Sequence, residues 1–188
     1  MTTDLTSAAT AMLAAREYLR RAQQSTFDAV SSSGKVDAMR IETEQRRLHG
    51  LAWTATVVEG MEALLAWRLR IAARGAPDAD AALVVRVGFG EYLAQILGGL
   101  PMSQNELVRP GDLDAQDAAG LLRADPAVSD LLESGNSVDN RAALTRRLAE
   151  GWYPDESLGE DTLDSIRAQI RRFTQERIAP YADRKSVV

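Results

Sequence analysis

Apolar residues recur at helical spacing along nearly the whole chain. Leu5, Met12 and Leu19 fall seven apart, with Ala8, Ala15, Ala22 and Ala29 filling the positions between them. That spacing predicts a helix from about Asp4 to Val30, and its small residues let a neighbouring helix come close. Ser31–Gly34 breaks it. The next periodic stretch runs from Lys35 to Arg74, ~60 Å if unbroken, and ends at Gly75 and Pro77 in the order a helix C-terminus favours. Its middle, Leu51–Trp67, is apolar on more than one face, as in a helix surrounded by others. Gly60 is a candidate bend or close contact within it. A third helix is predicted from an Asp78 N-cap to Leu97, closed by the Gly98–Pro101 turn.

Met102–Gly111 reads as an irregular connection. Short helices follow over about Asp112–Arg123, Pro126–Glu133 and Val138–Glu150. Asp125 before Pro126 is a good N-cap with proline at the first helical position. Gly151–Gly159 has turn residues and no helical period. A terminal amphipathic helix is predicted over Glu160–Ala179. Leu163, Ile166, Ile170, Phe173 and Ile178 form its apolar stripe, and Pro180 should stop it by lacking an N–H. No stretch alternates as a strand would; Ala82–Phe89 comes nearest and reads better as helix. The predicted fold is all-α: a bundle of long antiparallel helices, then short helices, then the terminal helix. The domain division expected is 1–150 for a helical extension, 151–160 for a linker and 161–188 for a separate first helix.

Composition narrows the function classes. With 188 residues and 45% hydrophobic side chains, the chain can bury a core without staples. A net charge of -5 and 5% aromatic residues supply neither a phosphate-binding field nor a stacking platform, so no nucleic-acid partner is expected. Zero cysteines remove disulfides, thiolate catalysis and cysteine-based metal sites. The longest run free of Asp, Glu, Lys and Arg, Tyr92–Asn105, is 14 residues, short of the ~18 to 20 that a membrane span needs. The first residues lack the charge and apolar run of a signal peptide. The expectation is a soluble, cytoplasmic protein with no membrane partner.

Candidate chemistry is sparse. Gly88 and Gly90 form a G-x-G, but the third glycine of a dinucleotide fingerprint would fall on Leu93, and no βαβ unit surrounds it. These glycines are better read as small residues where helices pack. Glu59 and Glu62 share a helix side, yet the only histidine, His49, stands ten residues before Glu59 and completes no Glu-x-x-His pair. No metal site and no catalytic set follows from them. The arginines at 16, 20 and 21, at 46 and 47, at 68, 70 and 74, and at 171, 172 and 177 each have acids nearby and read as solvated faces with local ion pairs. Trp53, Trp67 and Trp152 read as packing residues. No catalytic, cofactor-binding or metal-binding residue is assigned.

The terminal segment Asp161–Arg184, with its basic residues, Phe173, Glu176, Ile178, Ala179 and Pro180, resembles the opening helix of acyl-CoA dehydrogenases. A helical extension containing "GFGEYLAQILGGLPMSQNELVRPGDL" (Gly88–Leu113) ahead of such a helix resembles the (2S)-methylsuccinyl-CoA dehydrogenases of the ethylmalonyl-CoA pathway. Val58–Gly60 is similar to the surroundings of that family's catalytic glutamate, but Glu59 lies mid-helix and inherits no role. The resemblance implies FAD-dependent α,β-dehydrogenation of a branched acyl-CoA in the full-length family, a glutamate taking the α proton and the flavin the β hydride. It also implies that the flavin-holding β-domain and the domain supplying the base lie beyond these 188 residues. The expectation is therefore a truncated dehydrogenase portion with no cofactor of its own, inactive alone. Its partners would be the remainder of the dehydrogenase, or a second copy through the terminal helix. The competing expectation is a complete, non-catalytic helical interaction or oligomerisation module. A small enzyme built on His49, Glu59 and Glu62 ranks below both.

Overall fold

The computed structural model describes residues 2–75 and 79–182. These residues divide into two compact units, Met1–Trp152 and Tyr153–Val188. The larger unit is an all-α bundle. Its helix α1 (Thr2–Val30) ends in a small hairpin, β1 (Ser31–Ser32) and β2 (Lys35–Val36), turning through Ser33 and Gly34. Both turn residues have positive φ, 53° and 74°, which twists the two strands the right way for a two-residue hairpin.

The predicted helix over Lys35–Arg74 is therefore corrected. Lys35 and Val36 are extended, and Asp37 starts a new helix, its Oδ1 accepting from the Met39 and Arg40 amides at 2.9 and 3.2 Å. Helix α2 (Ala38–Thr43) is parted from α3 (Gln45–Ala73) at Glu44. The cap and the hairpin win because side chain and strand satisfy amides that a continuous helix would otherwise have to pair. Gly75 closes the segment at φ 69°, as expected; Pro77 and the predicted Asp78 cap lie outside the described residues. Gly60 serves no close contact, since a Cβ there would meet nothing within 4 Å.

Helix α4 (Ala79–Gly98) follows, and then a second hairpin, β3 (Leu100–Pro101) with β4 (Leu107–Val108), where an irregular connection was expected. Its Met102 amide bonds back to the Glu106 carbonyl at 2.8 Å. A 3-10 turn (Pro110–Leu113) leads to α5 (Gln116–Ala124). Helix α6 (Pro126–Asp130) widens into a π turn (Leu131–Gly135) before α7 (Val138–Ala149). As predicted, Asp125 caps α6, accepting from the Ala127 and Val128 amides at 2.9 and 3.2 Å.

Helix α1 packs on α3, α5 and α6, α3 packs on α4, and α4 lies against the π turn. The alanines at 8, 11, 15 and 22 are buried beside Met12, Tyr18 and Leu19, so the small positions of α1 do admit neighbours closely. Val58, Met61, Val85, Phe89, Leu93, Leu113, Leu122 and Val128 complete the core. Burial pushes the Tyr18 phenol up to about 12. Arg68 is corrected from a solvated face to the interior, at 1% exposure.

Among the described residues α4 is the helix long and apolar enough to cross a bilayer. Here it is a core helix, with Ala81, Val85, Phe89, Gly90, Leu93 and Ile96 buried. Its polar groups are engaged: Asp80 with Arg147, Arg86 with Asp130 and Ser134, and Glu91 with Asn136.

Candidate functional site

The residues singled out for chemistry do not converge. Trp53 donates its Nε1–H to His49 Nε2 at 2.8 Å, an (i, i+4) pair on the surface of α3. This corrects the packing role of Trp53, which is 38% exposed. Glu62 pairs with Arg16 on α1, whereas Glu59 is exposed. Among the described residues no group of three potential ligands could hold a metal ion. Gly90 does serve close packing: a Cβ there would lie 2.5 Å from the Asn136 amide nitrogen.

Two of the depressions on the larger unit differ in character. One, of about 340 Å³, is apolar and lies between α3 and α4, lined by Trp53, Val57, Gly60, Tyr92, Leu100 and Pro101 among others. Two of its polar members are already engaged: Thr56 Oγ1 bonds the Ala52 carbonyl at 2.8 Å, and Gln95 Nε2 bonds Glu91 Oε1 at 2.6 Å. The other, of about 230 Å³, is polar and lined by Thr43, Glu44, Arg46, Arg47 and Asp112. Arg47 bonds Glu44 at 3.0 Å and Asp114 at 2.6 Å, while its Nη1 is buried without a partner. Arg46 bonds the Leu107 carbonyl at 2.9 Å and faces Glu106 and Asp112.

The smaller unit carries the most distinctive surface. Helix α8 (Asp161–Phe173) continues through a π turn (Thr174–Ile178) into α9 (Ala179–Ala182). Pro180 does not stop the helix, contrary to expectation. The Ala179 amide bonds the Thr174 carbonyl, five residues back. This wider turn shifts the hydrogen-bond register just ahead of the proline, whose ring would clash in a regular α turn. Leu163, Ile166, Ile170, Phe173, Ile178 and Tyr181 are all 43–61% exposed. None of the residues of α8, the π turn or α9 is buried.

The segment Glu156–Leu158 ahead of the helix is strapped to it. Asp164 accepts from Ser157 Oγ at 2.7 Å, the Leu158 amide at 2.8 Å and Arg167 at 2.9 Å. Arg171 reaches Glu156 at 2.5 Å. Sequence reasoning found the apolar stripe but missed Asp164 and Tyr181. The five-residue step from Phe173 to Ile178, where a heptad would take four, is the signal that could have revealed the π turn.

No protein-family profile matches the chain. It is 36% identical over 182 residues to a (2S)-methylsuccinyl-CoA dehydrogenase of Cereibacter sphaeroides, a match that takes in 95% of this chain and 32% of the relative. The resemblance to that enzyme is borne out. The similarity covers bundle and terminal helix together, because too few residues remain outside it to leave either out. The chain spans about a third of the length of this methylsuccinyl-CoA dehydrogenase, and as a likeness it extends well beyond the Gly88–Leu113 and Asp161–Arg184 stretches that first suggested it.

Proposed function

We propose that these residues form the N-terminal helical portion of a FAD-dependent acyl-CoA dehydrogenase of the methylsuccinyl-CoA type. The whole enzyme would carry out α,β-dehydrogenation of a branched acyl-CoA. The observation that carries this reading is the 36% identity running through 95% of the chain, which joins the bundle and the terminal helix in one relative. In this reading the helical bundle is an added domain, and catalysis belongs to other parts of the enzyme.

The residues of the two depressions do not fit FAD. In the apolar one, Thr56 and Gln95 donate elsewhere, which leaves little beyond the Tyr92 hydroxyl to meet the flavin's ring edge. In the polar one, Arg46 and Arg47 face Glu44, Glu106, Asp112 and Asp114, carboxylates that would repel a pyrophosphate. No chemical step through a flavin is assigned to these residues.

The test is a chimera in which this chain replaces the matching third of the Cereibacter sphaeroides enzyme. Bound flavin and methylsuccinyl-CoA oxidation are the expected result; a folded chimera without turnover would refute the proposal. The 188-residue chain alone, mixed with FAD, should show no bound-flavin absorbance. A second reading, a non-catalytic interaction module, draws on the exposed stripe of the smaller unit. It would prevail if the chimera failed while the chain by itself formed a stable assembly through that stripe.

A further inference from the structure

The apolar depression of the larger unit is lined by an aromatic ring from each of its two helices, Trp53 of α3 and Tyr92 of α4, both 38% exposed. The Trp53 indole is pinned by its edge, because its Nε1–H is given to His49 Nε2 at 2.8 Å. Aromatic faces carry negative π density, which attracts cations. Gly60, also in the lining, puts no side chain into the space. The polar groups favour a donor as ligand. Gln95 donates from Nε2 to Glu91 Oε1 at 2.6 Å and keeps its own Oε1 as an acceptor. Thr56 gives its proton to the Ala52 carbonyl and keeps acceptor capacity as well. Behind Gln95, Glu91 is held by neutral amides, those of Gln95 and Asn136, both at 2.6 Å. Glu59 follows Thr56 by three residues and so neighbours it on α3. Among the described residues neither Glu59 nor Glu91 is paired with a cation, and no cationic side chain lines the depression. Elsewhere in the bundle Glu17, Glu62, Asp80 and Asp130 each meet an arginine.

We infer that this depression is a docking site for an arginine side chain of a partner polypeptide, independently of the dehydrogenase reading. A guanidinium stacks on an aromatic face and donates in its own plane to acceptors such as Gln95 Oε1. Its charge complements the two carboxylates that this chain leaves without a cation. The methylene stem of an arginine suits the apolar surface of Val57, Leu100 and Pro101. A lysine ammonium is a more strongly hydrated point charge and lacks the plane that stacks.

A magnetic-resonance titration of the 188-residue chain with Nα-acetyl-arginine methylamide tests this, read at the backbone amides of Thr56, Gly60, Tyr92 and Leu100. The shifts should saturate, and the citrulline counterpart, a neutral isostere, should bind at least ~10-fold more weakly. Glu59→Gln and Glu91→Gln together should weaken the arginine probe by about 3-fold to 10-fold at low salt and leave the citrulline probe unchanged. Gly60→Leu favours helix while filling the depression, so it should abolish the shifts in a folded chain. Shifts that never saturate, equal binding of the arginine and citrulline probes, or binding that survives Gly60→Leu would each overturn the assignment. If methylguanidinium binds as tightly as the arginine compound, a free small cation is the ligand and the docking role is wrong.

Discussion

Gly90 and Gly135 meet backbone to backbone: a Cβ on Gly135 would lie 3.0 Å from the Gly90 Cα and 2.7 Å from the Arg86 carbonyl oxygen. A Cβ on Gly90 would lie 2.8 Å from the Leu131 carbonyl oxygen. Main-chain atoms cannot swing aside as a flexible side chain can. Gly90→Ala should therefore cost about 1–3 kcal/mol, as overpacked cores do. Gly60→Ala, on the open face of α3, should instead stabilise by about 0.5–1 kcal/mol through helix propensity. Urea denaturation of both variants checks the pair, and equal effects would contradict the packing geometry.

Asp80 at the start of α4 receives two hydrogen bonds from Arg147 on α7, at 2.8 and 2.9 Å. Those bonds hold its carboxyl below the ordinary 3.8. A carboxylate depressed in the folded state contributes stability above its unfolded pKa and loses it as pH falls through the folded value. The thermal midpoint of the wild type should therefore drop more steeply below about pH 4 than that of Asp80→Asn. Parallel melting curves for the two from pH 5 to pH 2 would show otherwise if the pair were not formed.

Glu17 sits between two guanidinium groups one turn away, with Arg20 Nε and Arg21 Nε at 2.7 Å. The hydrogen bond from Arg20, then that from Arg21, lowers its carboxyl to about 2. A carbon-13 titration of the side-chain carboxyl should find its midpoint there. Arg20→Ala should move the midpoint back toward 4.5, the ordinary value.

Asp125 supplies two α6 amides with their hydrogen bonds. Asp125→Ala should destabilise the bundle by about 1 kcal/mol, and Asp125→Asn by much less, because asparagine caps nearly as well. Chemical denaturation would reveal an error if alanine and asparagine behaved alike.

Much of this architecture is local and was readable as such. The Asp125–Pro126 cap and the Gly75 terminus need only a few neighbouring residues to be satisfied. The alanine and Met12–Leu19 spacing of α1 marks its buried face for the same reason. The helix from Lys35 misled because helical period continues through residues whose amides are taken by the Ser31–Ser32 strand and by Asp37. Arg68 looked solvated because a sequence pattern assigns a face to a charge but does not know which neighbours surround α3. Trp53 erred the other way, an aromatic residue in an apolar run that the packing leaves on the rim of a depression.

The candidate surface divides similarly. The stripe from Leu163 to Phe173 is written in the order of residues, but the place of Ile178 on it depends on a π turn. Sequence by itself determined an all-α chain, its principal helix breaks, its α6 cap and its amphipathic end, since hydrophobic period, capping side chains and glycine conformations act within a turn or two. Tertiary structure alone decided the Gly90–Gly135 contact, the burial of Arg68 and the pairing of Asp80 with Arg147. Each of these joins groups far apart along the chain, and only the packing of whole helices determines whether they meet.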